Sequence, residues 1–253
     1  MKISSLIYHF LYASALFCTA LPSSSFGQTV VDDPSTYVWF DTMIGRTNSG
    51  MFKGVAYTEE YRVINERHQF FKEPDFALGS VVYDGQPYFD VELKYDVYQG
   101  NLLTMNTEAL GSSILILDGN KVTEFTIHGN RFKNLNQNLV ENKAYGFLEV
   151  LVENDSLSLY KKHAKKIFKR TDKEILYYEF KDRNSYYLHY ADTYYSLKKA
   201  NDLNAIFPEY RKSLKAIRNR YASLGKSDPD AYMKSILLDL SALISAQSAK
   251  ETL

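Results

Sequence analysis

The sequence predicts a β-dominated α+β fold: an antiparallel meander, strongly bent or closed part-way into a barrel, followed by a C-terminal helical hairpin. Three observations carry this. Between about residues 50 and 200, short apolar or alternating runs are divided by Asp-Gly, Asn-Asp and His-Gly-Asn turns, the spacing of a β-rich region. Tyr (21) and Phe (15) supply nearly all of the 15% aromatic content, and such rings suit a pleated, half-buried surface. After Ala200 the apolar spacing changes from two residues to three or four, the mark of amphipathic helices.

Residues 1–27 read as a removable export signal. Lys2 precedes an apolar run through Leu6, Ile7, Phe10, Leu11, Leu16 and Phe17, and Ser25-Phe26-Gly27 fits a small-x-small cleavage pattern. His9 and other polar residues interrupt the run, so it falls short of the ~20 apolar residues of a membrane-spanning helix. Cys18, the one cysteine, follows Phe17 rather than the small residue that lipidation requires. Cleavage after Gly27 leaves a chain without thiols, which excludes disulfides and thiolate metal sites. Such a chain is held by its core alone.

Residues 28–49 are polar and irregular apart from Tyr37-Val38-Trp39-Phe40. Residues 51–57 open the sheet, and 68–71 form a short strand ended by Glu73-Pro74. The strongest local signal is 78–83, Asp84-Gly85 and 88–95, a hairpin, because both turn positions need positive φ. In the return strand Tyr88, Asp90, Glu92 and Lys94 share the wet face, and Phe89, Val91, Leu93 and Tyr95 the dry one. A second hairpin is expected from 114–117 and 122–127 around Asp118-Gly119-Asn120, with His128-Gly129-Asn130 as the next turn. A third joins 145–152 to 156–160 around Asn154-Asp155.

Residues 175–180, 186–190 and 193–197 continue the meander. Each carries a tyrosine pair (Tyr177-Tyr178, Tyr186-Tyr187, Tyr194-Tyr195), with one ring for each side of its strand. Phe207-Pro208 starts a helix with Pro at its first position. Its stripe is Tyr210, Leu214, Ile217, Tyr221 and Leu224, and Gly225 ends it. Asp228-Pro229 caps a second helix, striped by Met233, Ile236, Leu237, Leu240, Leu243 and Ile244. The expected organisation is a signal over 1–27, an antiparallel β domain over 28–200, and a helical hairpin over 201–253 packed on the sheet.

A net charge of zero hides an asymmetry. Residues 28–159 hold 10 Lys+Arg against 19 Asp+Glu, and residues 160–222 hold 16 against 7. In the basic part, Lys161, Lys162, Lys165, Lys166, Lys169 and Arg170 form a run interleaved with Ile167 and Phe168. Arg211, Lys215 and Arg218 lie on the first helix. These nine are candidate binding residues for an envelope protein or an anionic lipid surface. The competing reading is a solvated stretch that faces the acidic N-terminal half. Export argues against a nucleic-acid partner.

The sequence contains no H-E-x-x-H, G-x-S-x-G, P-loop, dinucleotide or EF-hand pattern. His68, His128, His163 and His189 are too scattered to read as a ligand pair. Asp90 and Glu92 lie on one strand face at a spacing a glycosidase could use, though wet strand faces carry charges anyway. No catalytic residue, metal site or cofactor is expected.

The stretch Gly79-Ser80-Val81-Val82-Tyr83-Asp84-Gly85-Gln86-Pro87-Tyr88-Phe89-Asp90-Val91-Glu92-Leu93-Lys94-Tyr95-Asp96 resembles exported β-rich proteins of Bacteroidota. They share a pattern close to G-x-V-x-Y-D-G-Q-x-Y-x-x-V-x-L-x-Y-D. Residues 118–125, 146–151 and 207–212 resemble later parts of the same proteins, so the likeness spans about residues 50–222. It implies export and this architecture, and it carries over no functional residue. The expectation is a non-enzymatic periplasmic protein, an interaction module that binds another envelope component. The alternative is a carrier that cradles a lipid or glycan in a curved sheet. A hydrolase built on Asp90 or Glu92 ranks third, and secretion is the second choice of location.

Overall fold

The β region builds one antiparallel sheet of 11 strands and a separate two-stranded ribbon. The computed structural model describes residues 34–35, 37–38, 50–106, 113–138 and 145–251. The export signal, its cleavage site and most of 28–49 lie outside them. The sheet comprises β1 (Val55–Ala56), β2 (Ala77–Tyr83), β3 (Gln86–Asp96), β4 (Asn101–Asn106), β5 (Ser113–Ile116), β6 (Val122–Ile127) and β7 (Asn130–Asn134). It continues through β8 (Phe147–Glu153) and β9 (Ser158–Lys162). The ribbon is β10 (Lys165–Asp172) with β11 (Ile175–Asp182), and β12 (Ser185–Tyr190) and β13 (Thr193–Leu197) complete the sheet. The order across it is β1-β5-β4-β3-β2-β6-β7-β8-β9-β12-β13. It is open, with β1 and β13 as its edges, and it is followed by helices, as the sequence predicts.

The sheet bends strongly. Tyr95 on β3 and Phe147 on β8 are four strands apart, about 19 Å on a flat sheet. Yet their ring centroids lie 6.0 Å apart, and both touch Phe125, with Tyr95 also on Phe132. Rings from the concave face therefore meet across the curl and fill it, with Phe125 stacked on Phe132 at 4.7 Å. The five residues from Leu117 to Lys121 carry the chain from β5 to β6, again four strands apart in the sheet order.

The Asp84-Gly85 hairpin forms as expected, with φ of 51° and 77°. Beyond it, local alternation fails in two ways. A bulge sets Ser80 against Phe89 and Asp90, and Asp90 takes φ 53°. The pleat changes phase there, so Tyr88 rather than Phe89 packs on the core. Farther along, Lys94 and Asp96 are buried. Residues 68–71, expected as a short strand, make only a single bridge, Phe70 to Asp96, but they cover this end of β3. Phe71 N–H donates to Tyr95 O at 2.9 Å, and Val97 N–H to Gln69 O at 3.1 Å.

Three more expectations are corrected. β5 and β6 are not a hairpin, since β5 pairs with β4 and β1 while β6 pairs with β2 and β7. β4 and β7 were not anticipated; each is a short strand beside a turn residue. The third expected hairpin is present as β8 and β9. Tyr186 and Tyr195 pack toward the helices, Tyr187 and Tyr194 on the opposite face. The Tyr177-Tyr178 pair, by contrast, lies on the ribbon and not in the meander.

After the sheet come α1 (Leu203–Ile206), α2 (Arg211–Arg220), α3 (Leu224–Ser227) and α4 (Pro229–Glu251). Asp228 Oδ1 accepts the Ala231 N–H at 2.9 Å, so it caps α4 with Pro229 at its first position. The first helix stops at Arg220, before Gly225, which falls inside the single turn α3. Leu214, Ile217, Met233, Ile236, Leu237 and Leu240 close on Leu159, Leu188 and Leu197 of the sheet. Leu243 is 37% exposed and stands outside this core.

Candidate functional site

The ribbon is an excursion from the sheet. β9 and β12 pair with each other, and the 22 residues from His163 to Asn184 leave and return between them. Its root is pinned by Arg183 N–H to Ala164 O at 2.7 Å and by Ala164 N–H to Asn184 Oδ1 at 3.2 Å. Along β11, the Tyr178 and Phe180 N–H groups point away from β10, to Arg62 O (2.9 Å) and Arg67 O (2.8 Å). Residues 62–67 thus brace the ribbon on one edge. Its inner face packs Phe180 and Tyr178 against Tyr61, with Tyr98 edge-on to Tyr61.

The structure divides the predicted basic run. Lys161 and Lys165 are turned inward. Lys161 Nζ lies 2.5 Å from Asp230 Oδ2, and Lys165 Nζ donates to His68 O at 2.8 Å. Lys162 is half-buried, and Arg170 is exposed but pairs with Glu179 at 3.3 Å. Lys166 and Lys169 are exposed on β10. Arg211 and Lys215 are exposed on α2, whereas Arg218 donates to Asn204 Oδ1 at 3.1 Å.

On the outer ribbon face, Lys166, Arg170 and Lys181 surround the Phe168 ring at 5.5, 5.7 and 5.1 Å. Cation–π attraction holds three positive charges at one spot. At the tip, Lys173 and Glu174 turn the chain with φ of 44° and 67°, and Ile175 and Leu176 are 45% and 38% exposed. Glu179 anchors the ribbon through Arg67 (3.0 Å), Arg170 and Asn65 (3.2 Å). Burial pushes its carboxyl up, but these donors outweigh it and hold the pKa below the ordinary value.

Sequence reasoning missed the polar cluster under the ribbon root. Glu149 Oε2 meets His163 Nε2 at 2.6 Å, and Asn130 Nδ2 donates to Glu149 Oε1. Burial would raise the Glu149 pKa, but the His163 and Asn130 hydrogen bonds hold it low. Beside it, Asp230 takes Lys161 and the Tyr186 hydroxyl, the latter at 2.5 Å. Desolvation opposes its charge, and Lys161 and Tyr186 again win, so its pKa is lowered. Asn130, Glu149, Lys161, His163 and Asp230 line a cavity of about 460 Å³ with His68, Lys72 and Asp182. One signal was available: Glu149 interrupts the apolar run 147–152, and a charge there needs a partner. Its partners, Asn130 and His163, come from β7 and from the ribbon root just after β9, which sequence does not place.

Asp90 and Glu92 remain exposed, with Asp90 at the bulge. Among the described residues no group of three or more His, Cys, Asp or Glu is placed to hold a metal ion. No helix among them is long and apolar enough to cross a membrane. Comparison of the chain with protein-family models, curated proteins and solved structures finds no match.

Proposed function

We propose that this is an exported cell-envelope protein that acts as an interaction module, with the β10–β11 ribbon as its docking element on an anionic envelope surface. The observation that carries the reading is the ribbon's outer face: Lys166, Arg170 and Lys181 gathered on Phe168, next to exposed Ile175 and Leu176. Cations beside a small apolar tip match the chemistry of an acidic headgroup layer, where charge attracts and the apolar residues enter the boundary. The export-type N-terminus and the likeness to exported proteins of Bacteroidota support the compartment. The alternative of an apolar cradle is less well supported, because Phe125, Phe132 and Leu117 fill the curl of the sheet.

Co-flotation with vesicles tests this. The protein should float with phosphatidylglycerol-containing vesicles and stay behind with neutral phosphatidylcholine. Replacing Lys166 and Lys181 with Ala should cost about 2 kcal/mol of binding, at ~1 kcal/mol per basic residue near the surface. Equal binding to neutral and acidic vesicles, or a double variant as good as wild type, would exclude the ribbon as an anionic docking element.

A further inference from the structure

Behind the residues that brace the ribbon, two largely buried polar side chains line one groove with bonding capacity unused. Lys94 is 7% exposed. Its ammonium lies 4.1 Å from the Phe70 ring centroid and 4.8 Å from that of Phe76, and it makes no hydrogen bond or ion pair among the described residues. An ammonium carries three donors, and aromatic faces satisfy its charge but not those donors. Desolvation holds the Lys94 pKa below the ordinary lysine value although Glu59, Asp75 and Asp96 pull it up. The second group is Gln69, fully buried, whose Nε2 donates to Glu59 Oε1 at 2.9 Å while its Oε1 has no partner. Both line a groove of about 1030 Å³ between the irregular residues 59–75 and β3.

A buried acceptor such as Gln69 Oε1 is costly to leave unpaired, and a largely desolvated ammonium gains from an anion beside it. A ligand that offers an anion to Lys94 and a donor to Gln69 Oε1 answers both. The exposed rim carries Glu59, Glu66, Glu73 and Asp75 against Arg62 and Lys72, a net negative edge that disfavours a polyanion. A single carboxylate therefore suits the floor better than a phosphate chain. Gln69 Oε1 is a neutral acceptor, and a hydroxyl fills it without placing a second positive charge near Lys94. The volume is that of a ligand well beyond a two- or three-carbon acid.

We propose that the groove binds a monoanionic, polyhydroxylated small molecule of the sugar-acid class, its carboxylate on Lys94 and one hydroxyl on Gln69 Oε1. The site shares residues 61–66 with the brace of the ribbon, but it uses none of the ribbon's outer cations, so failure of either reading leaves the other standing.

Calorimetric titration of the full mature chain with D-glucuronate, against D-glucose, tests it. Glucuronate should bind saturably, and glucose, which lacks the carboxylate, about 10- to 100-fold more weakly, the worth of one charge-assisted hydrogen bond. Lys94→Met keeps an unbranched apolar stem between Phe70 and Phe76 and should lose a similar factor. Cyanate gives a readout on the unmutated protein, because it carbamoylates only unprotonated amines. Glucuronate should slow modification of Lys94 several-fold and leave Lys166 unchanged. The proposal is overturned if glucuronate does not saturate, if glucose binds as well, if Lys94→Met binds like wild type, or if glucuronate leaves Lys94 modification unchanged.

Discussion

Glu149 and His163 join the middle of the sheet to the root of the ribbon: carboxylate and imidazole meet at 2.6 Å, with side chains only 9% and 11% exposed. The His163 ring also packs edge-on to Phe71 at 4.8 Å. The strand that leaves the sheet is therefore fixed at its departure point by a largely buried polar bond packed against Phe71.

This pair predicts a pH dependence. The Glu149 pKa is depressed below its ordinary 4.5 by its hydrogen bonds. Its contribution is thus fully present above pH 4.5 and lost as pH falls through the lower folded value. Glu149→Gln should cost about 1–3 kcal/mol at pH 7 in urea unfolding. Because Glu153, Glu179 and Asp230 are depressed too, wild type will also weaken in acid for other reasons. The difference between wild type and Glu149→Gln isolates this residue, and it should shrink below pH 4.5. A constant difference would show that the charge is not what matters.

A second bond ties the long helix down. Asp230, in the first turn of α4, holds Lys161 of β9 and Tyr186 of β12. Tyr186→Phe removes one charge-assisted hydrogen bond and should cost about 1–2 kcal/mol, and Asp230→Ala more, since it strands a Lys161 whose side chain is only 12% exposed. Amide exchange in the first two turns of α4 should accelerate in both, more in Asp230→Ala. Unchanged exchange there would mean the apolar stripe alone docks the helix.

How far these contacts could be read beforehand follows from their range. The Asp84-Gly85 hairpin and the Asp228-Pro229 cap are set within a few residues, and both form as the sequence predicts. Lys94 read as wet because its neighbours alternate, but residues 68–71 cover it from another part of the chain. The basic run read as one surface because charge was counted along the chain. Lys161 and Lys165 turned inward for Asp230 and the His68 carbonyl, which are 69 and 97 residues away. β5 and β6 read as a hairpin because their turn is sound, and only the curl of the sheet reveals that they join distant strands.

Gly79 is a point of close approach in that sheet. It faces β6 at the bulge, and a Cβ there would run into the Thr126 carbonyl oxygen and press on Leu93. Backbone cannot yield as a side-chain end can. Gly79→Ala should therefore destabilise by about 1–3 kcal/mol, the usual cost of overpacking, with a lower urea midpoint at unchanged slope. Gly119→Ala is the control: its Cβ would meet only the tip of Phe147 at an ordinary 3.9 Å, and it should be near neutral.

The ribbon tip carries the opposite opportunity. Lys173 and Glu174 both hold positive φ, a turn that favours Asn-Gly and disfavours long side chains by about 1 kcal/mol per residue. Lys173→Asn with Glu174→Gly should stabilise the ribbon by about 1–2 kcal/mol on that count. The Tyr178 and Phe180 amides point to residues 62–67, so those of Tyr177 and Glu179 face β10 and report its opening. Exchange at these two should slow about tenfold for each 1.4 kcal/mol gained. If they slow while amides in β8 do not, the ribbon opens on its own, separately from the sheet. If all slow together, the ribbon and sheet unfold as one unit.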